Sequence, residues 1–332
     1  MTDLSIIIVS YKGWDKLMVC LNSLNDFKGV EFSSEIIVVD NNSQDGKIFE
    51  IEKEFPRFRF IFNTCNGGFA YGCNIGADHA NGEYLLFLNP DTVTSEQETA
   101  KLLDTLKRNP SYTILSCRQV NARGRESHVA GHFPEFYNLT GIMRALFKKP
   151  GHVGNNISNE QDSKDISFPE WVSGSVIMIN KGNFYSINGF DEDFWMYFED
   201  VDLCKRVRDN GGEVALAGDI VIEHNHGGSS RINVRTASLT KTEVHISRHV
   251  YISKHKTGAE RFFIQSFLVV NNIITGGIAA AAGIVFFFIP KLFSRTVIFA
   301  RLIGYYMMAV YRLSWLSPRS VSRTHKRQVL KY

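Results

Sequence analysis

The sequence predicts an α/β fold with a mainly parallel central sheet, and three observations carry that prediction. Short β-branched or aliphatic runs recur along the first third of the chain. A helix-spaced amphipathic segment separates the first two of them, and the second and later runs stop abruptly at polar residues. Strands alternating with helices imply a largely parallel sheet, whose ligands bind beyond the carboxyl ends of the strands.

Taken in order, Leu4 to Val9 is β-branched and too short for a helix, so it reads as a buried strand. Trp14, Leu17, Met18, Leu21 and Leu24 fall on one face of a helix. Ile36 to Val39 is a second strand, ending at Asp40-Asn41-Asn42-Ser43; Phe58 to Phe62 is a third. Asn66-Gly67-Gly68-Phe69-Ala70-Tyr71-Gly72 is a glycine-rich turn entering a helix, where backbone can approach a ligand and a helix N-terminus can receive a phosphate. It is not a Walker loop, because no Gly-Lys-Ser/Thr follows, and it comes after the third strand, unlike the dinucleotide fingerprint. Tyr84 to Leu88 is a fourth strand, ending at Asn89-Pro90-Asp91.

Further along, Phe190 to Cys204 interleaves acids with aromatic rings and runs into a helical pattern at Val201, Leu203, Cys204 and Val207. Carboxylates beside rings are costly to desolvate, so one at the mouth of that helix is either a general base or an acid favoured by the helix dipole. Ile220 to Ile222 forms another strand, running into Glu223-His224-Asn225-His226 and small residues, an arrangement suited to a metal or phosphate contact or to a plain solvated loop. The five cysteines are scattered, without paired spacing, which argues against a disulfide framework or structural zinc. No basic, apolar leader precedes the first strand, and a reducing cytoplasm is the expected setting.

Charge is distributed unevenly. From Arg261 to Tyr332 there is no Asp or Glu, whereas the preceding part is net acidic. The uncharged run Phe262 to Pro290 is long enough to cross a bilayer, or to form a re-entrant hairpin bending at Gly276-Gly277, and Thr296 to Leu316 looks interfacial. A pair of buried core helices is the other reading. Cations flanking aliphatic runs favour an anionic membrane over nucleic acid as partner. Basic residues at both ends imply two crossings or none, with both ends cytoplasmic.

Eight segments together resemble the inverting family 2 glycosyltransferases of the GT-A fold, in the branch containing bacterial rhamnosyltransferases of O-antigen and cell-wall polysaccharide synthesis. They are residues 5–11, 37–43, 66–70, 88–91, 171–175, 188–192, 198–204 and 224–230. The resemblance implies a catalytic domain over residues 1–230, with a nucleotide-sugar half (1–116) and an acceptor half (117–230). A connecting helical segment (231–258) and a basic apolar membrane-associating region (259–332) would follow. It implies that Ser10, Tyr11, Asp40, Asn66, Gly68 and Phe69 line the nucleotide site, with Asp40 reading the pyrimidine edge. Asp91 and His224 would hold Mg2+ or Mn2+ against the diphosphate, and Asp200 would deprotonate the acceptor hydroxyl. Trp171, Gly174, Trp195 and Glu199 would form the acceptor side. Many relatives carry Asp-X-Asp where this chain has Asn89-Pro90-Asp91, which leaves one carboxylate there. The expected reaction moves a sugar, rhamnose from dTDP-rhamnose by resemblance, to a polyprenyl-diphosphate-linked saccharide on the cytoplasmic face of the bacterial inner membrane. A glycoside hydrolase using paired carboxylates, or an inactive sugar-nucleotide-binding membrane scaffold, would fit fewer of these residues.

Overall fold

The computed structural model describes residues 2–147, 165–225 and 233–321 of the chain. They divide into two compact units. The first comprises Met1–Asn66, Gly72–Phe190 and Asp200–Gly228; the second comprises Gly67–Tyr71, Asp191–Glu199 and Ser229–Tyr332.

The first unit is built on a mixed, mainly parallel sheet. Strands β1 (Leu4–Ser10), β2 (Ser34–Asp40), β3 (Arg59–Phe62) and β4 (Tyr84–Leu88) form its parallel half in the order β3-β2-β1-β4. The chain therefore steps outward from β1 on one side and returns to its other side at β4. That reversal makes a crevice at the carboxyl ends of β1 and β4, the usual ligand position in such sheets. Helices α1 (Trp14–Asn25), α2 (Lys47–Glu54) and α3 (Gly68–Asp78) make the crossovers. Leu17, Cys20, Leu21 and Leu24 of α1 enter the main core with Leu4, Ile6 and Ile8 of β1. Gly72 and Gly76 of α3 lie so close to the sheet that an added Cβ would sit 2.5 Å from Val9 Cγ1 and 2.4 Å from Ile7 Cγ2, respectively. Much of the glycine-rich character of this stretch thus serves close helix–sheet packing.

The sheet continues through strands of which the sequence announced only the end of β11, at residues 220–222. After β5 (Thr92–Val93) and α4 (Glu96–Arg108) comes β6 (Tyr112–Val120). A small two-stranded sheet pairs β7 (Ala130–Gly131) with β9 (Trp171–Val172). Between those two strands lie α5 (Gly141–Leu146) and β8 (Ile166–Ser167), the latter pairing with β11 (Glu213–His224). Strand β10 (Val176–Asn180) inserts antiparallel between β4 and β6, followed by α6 (Lys181–Ser186) and α7 (Glu199–Asp209). Strand β11 runs parallel to β6, with a register shift between Ala217 and Val221, and its end pairs antiparallel with β5, Glu223 opposite Val93 and His224 opposite Thr92.

The second unit holds three helices: α8 (Val234–His255), α9 (Gly258–Val285) and α10 (Pro290–Arg312). Helices α9 and α10 form an antiparallel hairpin. Thr296 Oγ1 donates to the Ala280 carbonyl at 2.9 Å, and Asn272 Nδ2 donates to Tyr306 Oη at 2.8 Å. Gly283 lets the helices touch, since a Cβ there would lie 2.5 Å from the Leu292 carbonyl oxygen. Of the two readings of this run, the bend at Gly276-Gly277 is not seen: α9 runs as one helix through both glycines, and the chain reverses at 286–289. Gly276 instead makes room for the ring of Phe299. His249 is buried in α8, stacked on Trp315 at 4.9 Å and hydrogen-bonded to Tyr306 Oη at 3.0 Å. Burial lowers its pKa to about 4, so it is a neutral packing residue.

Helix α9 is the one described helix long and apolar enough to cross a membrane. Helix α10 carries Lys291, Arg295, Arg301 and Arg312. The turn between them is openly apolar: Phe286, Phe287, Phe288 and Ile289 are all exposed, as are Phe262, Phe263, Ile274 and Ile278 along α9. The loop from His226 to Ser230 and the cations Arg323, Lys326, Arg327 and Lys331 lie outside the described residues.

Candidate active site

The first unit gathers its polar groups where the sheet reversal predicts. Ser10 and Asp40 are register partners at the ends of β1 and β2, both buried. Asp40 accepts hydrogen bonds from the backbone N–H and the hydroxyl of Ser43, and Ser43 Oγ in turn accepts from Lys12 N at 3.0 Å. Asp40 therefore braces the loop carrying Tyr11 and Lys12, and each carboxylate oxygen keeps further acceptor capacity toward a ligand. Lys12 Nζ lies 5.6 Å from the centre of the Tyr11 ring.

Asp91 follows β4, and pairing of β11 with β5 brings His224 beside it. His224 Nε2 is 3.2 Å from Asp91 Oδ1, with both side chains buried. Lys16, which the sequence reading passed over, places Nζ 3.9 Å from Asp91 Oδ2 and donates to the Asn225 carbonyl. Its helical spacing from Trp14 hid it, because nothing local says that α1 presents this lysine to a strand end.

The segment Ser173-Gly174-Ser175 ties the remaining groups together. Gly174 N donates to Asp200 Oδ2 at 2.8 Å, and Val201 N donates to Asp200 Oδ1 at 2.8 Å. Ser175 carries its carbonyl to Asn89 N at 2.9 Å and its hydroxyl to Gln119 Oε1 at 2.7 Å. Gln119 Oε1 lies 2.8 Å from His224 Nδ1. Three consecutive residues thus connect the Asp200 carboxyl, the end of β4 and the His224 ring. Gly174, expected on the acceptor side, directs its backbone N–H to the Asp200 carboxylate.

Asp200 keeps some exposure as a residue, but its carboxyl group is enclosed at the start of α7. Burial raises its pKa above the ordinary carboxylate range, against the lowering effect of the Gly174 and Val201 N–H groups. Its neighbour Asp202 is buried and bound by Arg206, Nε to Oδ2 at 2.8 Å, which commits it to an ion pair. Trp171 donates from Nε1 to the His132 carbonyl at 2.8 Å and lies over Gly131, where a Cβ would clash with the indole. Asn66 is the last residue of its segment of this unit.

Gly68, Phe69 and Trp195 belong to the second unit, and there they meet. Phe69 N donates to the Trp195 carbonyl at 3.1 Å, and a Cβ on Gly68 (φ 91°) would fall 1.8 Å from that oxygen. The helix N-terminus expected to face a phosphate thus spends one of its N–H groups on Trp195. Arg319 lies over the Trp195 ring at 5.3 Å. Tyr197 and Phe198, just before the buried Glu199, both adopt positive φ (70° and 68°), a left-handed conformation costly for aromatic residues.

Asp91 and His224 fit a divalent cation by donor chemistry: a hard carboxylate oxygen and an imidazole nitrogen face one gap. Among the described residues no group of three His, Cys, Asp or Glu side chains converges on a metal position. Two protein donors suit Mg2+ or Mn2+, which are commonly completed by substrate phosphates and water.

The first unit thus holds, on one reversing and mainly parallel sheet, an Asp–His pair and a carboxylate gripped by backbone N–H groups. Comparison with known proteins gives the following similarities. Residues 5–163 match Glycosyl transferase family 2, and residues 157–226 match the description "N-terminal domain of galactosyltransferase". Over residues 5–163 the chain is thus similar to glycosyltransferase family 2. It is 30% identical over 214 residues to the low-salt glycan biosynthesis hexosyltransferase Agl10 of Haloferax volcanii, a match spanning 62% of each chain. It is 25% identical over 222 residues to the N-acetylglucosaminyl-diphospho-decaprenol L-rhamnosyltransferase of Mycobacterium tuberculosis, covering 62% of this chain and 71% of that one. Among solved structures, GalNAc-T7 with UDP, GalNAc and Mn2+ shares the fold at a TM-score of 0.53 and 15% identity, over 76% of this chain and 50% of that chain.

Proposed function

We propose that the chain transfers a sugar from a nucleoside diphosphate donor to a hydroxyl of a lipid-linked saccharide, inverting the anomeric carbon. The observation that carries this reading is the connection, through residues 173–175, of an enclosed carboxylate to an Asp–His pair at the sheet's carboxyl edge. Asp200 takes the proton from the acceptor oxygen as that oxygen bonds to the anomeric carbon. The bond from that carbon to the donor phosphate breaks, and the nucleoside diphosphate leaves with the electron pair. One base suffices for in-line inversion. Asp91 and His224 would hold Mg2+ or Mn2+, which supplies charge stabilisation to the leaving diphosphate. Ser10, Tyr11, Asp40 and Asn66 serve the nucleoside, together with Gly68 and Phe69; Trp171, Trp195 and Glu199 serve the acceptor. The mycobacterial relative's name favours rhamnose and a polyprenyl-diphosphate acceptor.

The test is nucleotide release by the full chain in detergent, with thymidine and uridine diphosphate sugars and a decaprenyl-diphosphate-linked N-acetylglucosamine. Release that needs both donor and acceptor, with an inverted anomer in the product, is the expected result. Sugar release from the saccharide alone, without a nucleotide sugar, would replace this reading with hydrolysis.

The same proposal sets the enzyme at the cytoplasmic face of a membrane through the α9–α10 hairpin, with 286–289 immersed and the cations of α10 toward anionic headgroups. Burial of exposed aromatic surface contributes roughly 25 cal/mol per Å2, and each well-placed cation about 1 kcal/mol. Replacing Phe286, Phe287 and Phe288 together by Ser should lower co-sedimentation with phosphatidylglycerol vesicles by at least about tenfold, since each removed ring gives up on the order of 1 kcal/mol or more. Unchanged co-sedimentation would refute an immersed tip.

A further inference from the structure

We propose that Gln119 is the positioning residue that fixes which ring nitrogen of His224 carries the proton, and thereby makes His224 a cation ligand through Nε2; this rests on the metal reading above. A neutral imidazole carries one proton, and the group opposite one nitrogen decides the role of the other. Gln119 Oε1 accepts the Ser175 hydroxyl at 2.7 Å and lies 2.8 Å from His224 Nδ1. With that oxygen acting as acceptor, Nδ1 carries the proton and donates. Nε2 is then left with its lone pair toward Asp91 Oδ1, 3.2 Å away. With the ring neutral and its proton on Nδ1, two electron-rich atoms face each other at that distance and repel, and a cation held by both removes the repulsion. The arrangement has a visible cost: Gln119 Nε2 is buried without a hydrogen-bond partner among the described residues. The reversed amide would donate to Nδ1, send the ring proton to Nε2, and pair that N–H with Asp91, closing the gap to a cation. Ser175 has one hydroxyl proton, so its bond to Gln119 Oε1 stands when Ser173 Oγ, 3.0 Å away, donates to Ser175 Oγ and not the reverse.

Two variants of the full chain test this. Gln119→Leu removes the acceptor while keeping an apolar filling of similar size, and Gln119→Glu keeps an acceptor that cannot donate when ionised. Mn2+ affinity, read from the electron paramagnetic resonance signal of free Mn2+, should fall about 10–100-fold in the Leu variant and stay within a few-fold of the parent in the Glu variant. Nitrogen NMR of ring-labelled protein with Mg2+ should show the proton on Nδ1 of His224 in the parent and the Glu variant, and a shift toward Nε2 in the Leu variant. Loss of the same affinity in both variants would mark Gln119 as mere packing and overturn the proposal. So would an Nε2–H ring in the parent, or parental Mn2+ affinity in the folded Leu variant. If the parent takes up no Mn2+, the metal reading fails by itself, and the tautomer comparison without added metal still decides the role of Gln119.

Discussion

Asp200→Asn should cut turnover by at least about 10²-fold while leaving donor binding intact, because the amide keeps the shape but cannot accept the acceptor's proton. The pH dependence identifies the cause. Burial holds the Asp200 carboxyl above the ordinary carboxylate range, and only the ionised form can act as base. Turnover of the parent should therefore rise with pH through that displaced value, and the Asn variant should lack this limb. Stability should change in the opposite sense. A carboxyl with a raised folded-state pKa contributes stability below its unfolded value, and that contribution is lost as pH rises through the folded one. At neutral and alkaline pH the Asn variant should melt higher than the parent, provided Gly174 N–H finds the amide oxygen. Near-parental turnover in the Asn variant would move the base to the adjacent Glu199. Asp202 is not a substitute, because Arg206 already holds it.

Asp91→Ala should abolish metal-dependent donor binding and lower kcat/KM by about 10²–10³-fold, the scale on which one charge-stabilising group acts in a transition state. His224→Ala should lose less, since a carboxylate is the harder ligand for Mg2+ or Mn2+. Isothermal titration of the nucleoside diphosphate with and without Mn2+ separates metal-bridged binding from direct contacts. Full activity in excess chelator would remove the cation from the reaction and assign Asp91 to Lys16, whose ammonium lies 3.9 Å from it.

Strands β1, β2 and β4 were legible because they are largely buried and nearly continuous in apolar residues, so each run and its polar stop mark a strand and its carboxyl end. The remainder was hidden for a physical reason. The insertion of β10 between β4 and β6 is decided by long-range pairing, which no local pattern encodes. Asp91 and His224 were readable from motifs, but their meeting depends on the β11–β5 pairing. Gln119 gave no signal at all: an amide in a strand looks ordinary until the ring it faces is placed. The glycine-rich stretch was read for its nearness to a ligand, whereas Gly72 and Gly76 are explained by the sheet beneath them. The apolar tail was recognisable as a pair of long helices, but where they reverse is set by contacts across the hairpin.

The second unit is assembled from three separate stretches of chain, and this governs the order in which the protein can be finished. As synthesis proceeds from the N-terminus, Gly67–Tyr71 and Asp191–Glu199 emerge long before the helices that complete their unit. Met196 waits for the Ser247 hydroxyl on its carbonyl, Asp191 and Asp193 for Lys254, and Trp195 for Arg319. Until then Tyr197 and Phe198 have little to hold them in left-handed backbone, and the loop leading into Asp200 is unset. A nascent or C-terminally shortened chain would have its sheet but not its finished 191–199 loop. The hairpin that would deliver the protein to a lipid surface belongs to the same late-forming unit, so chemistry and address would mature together.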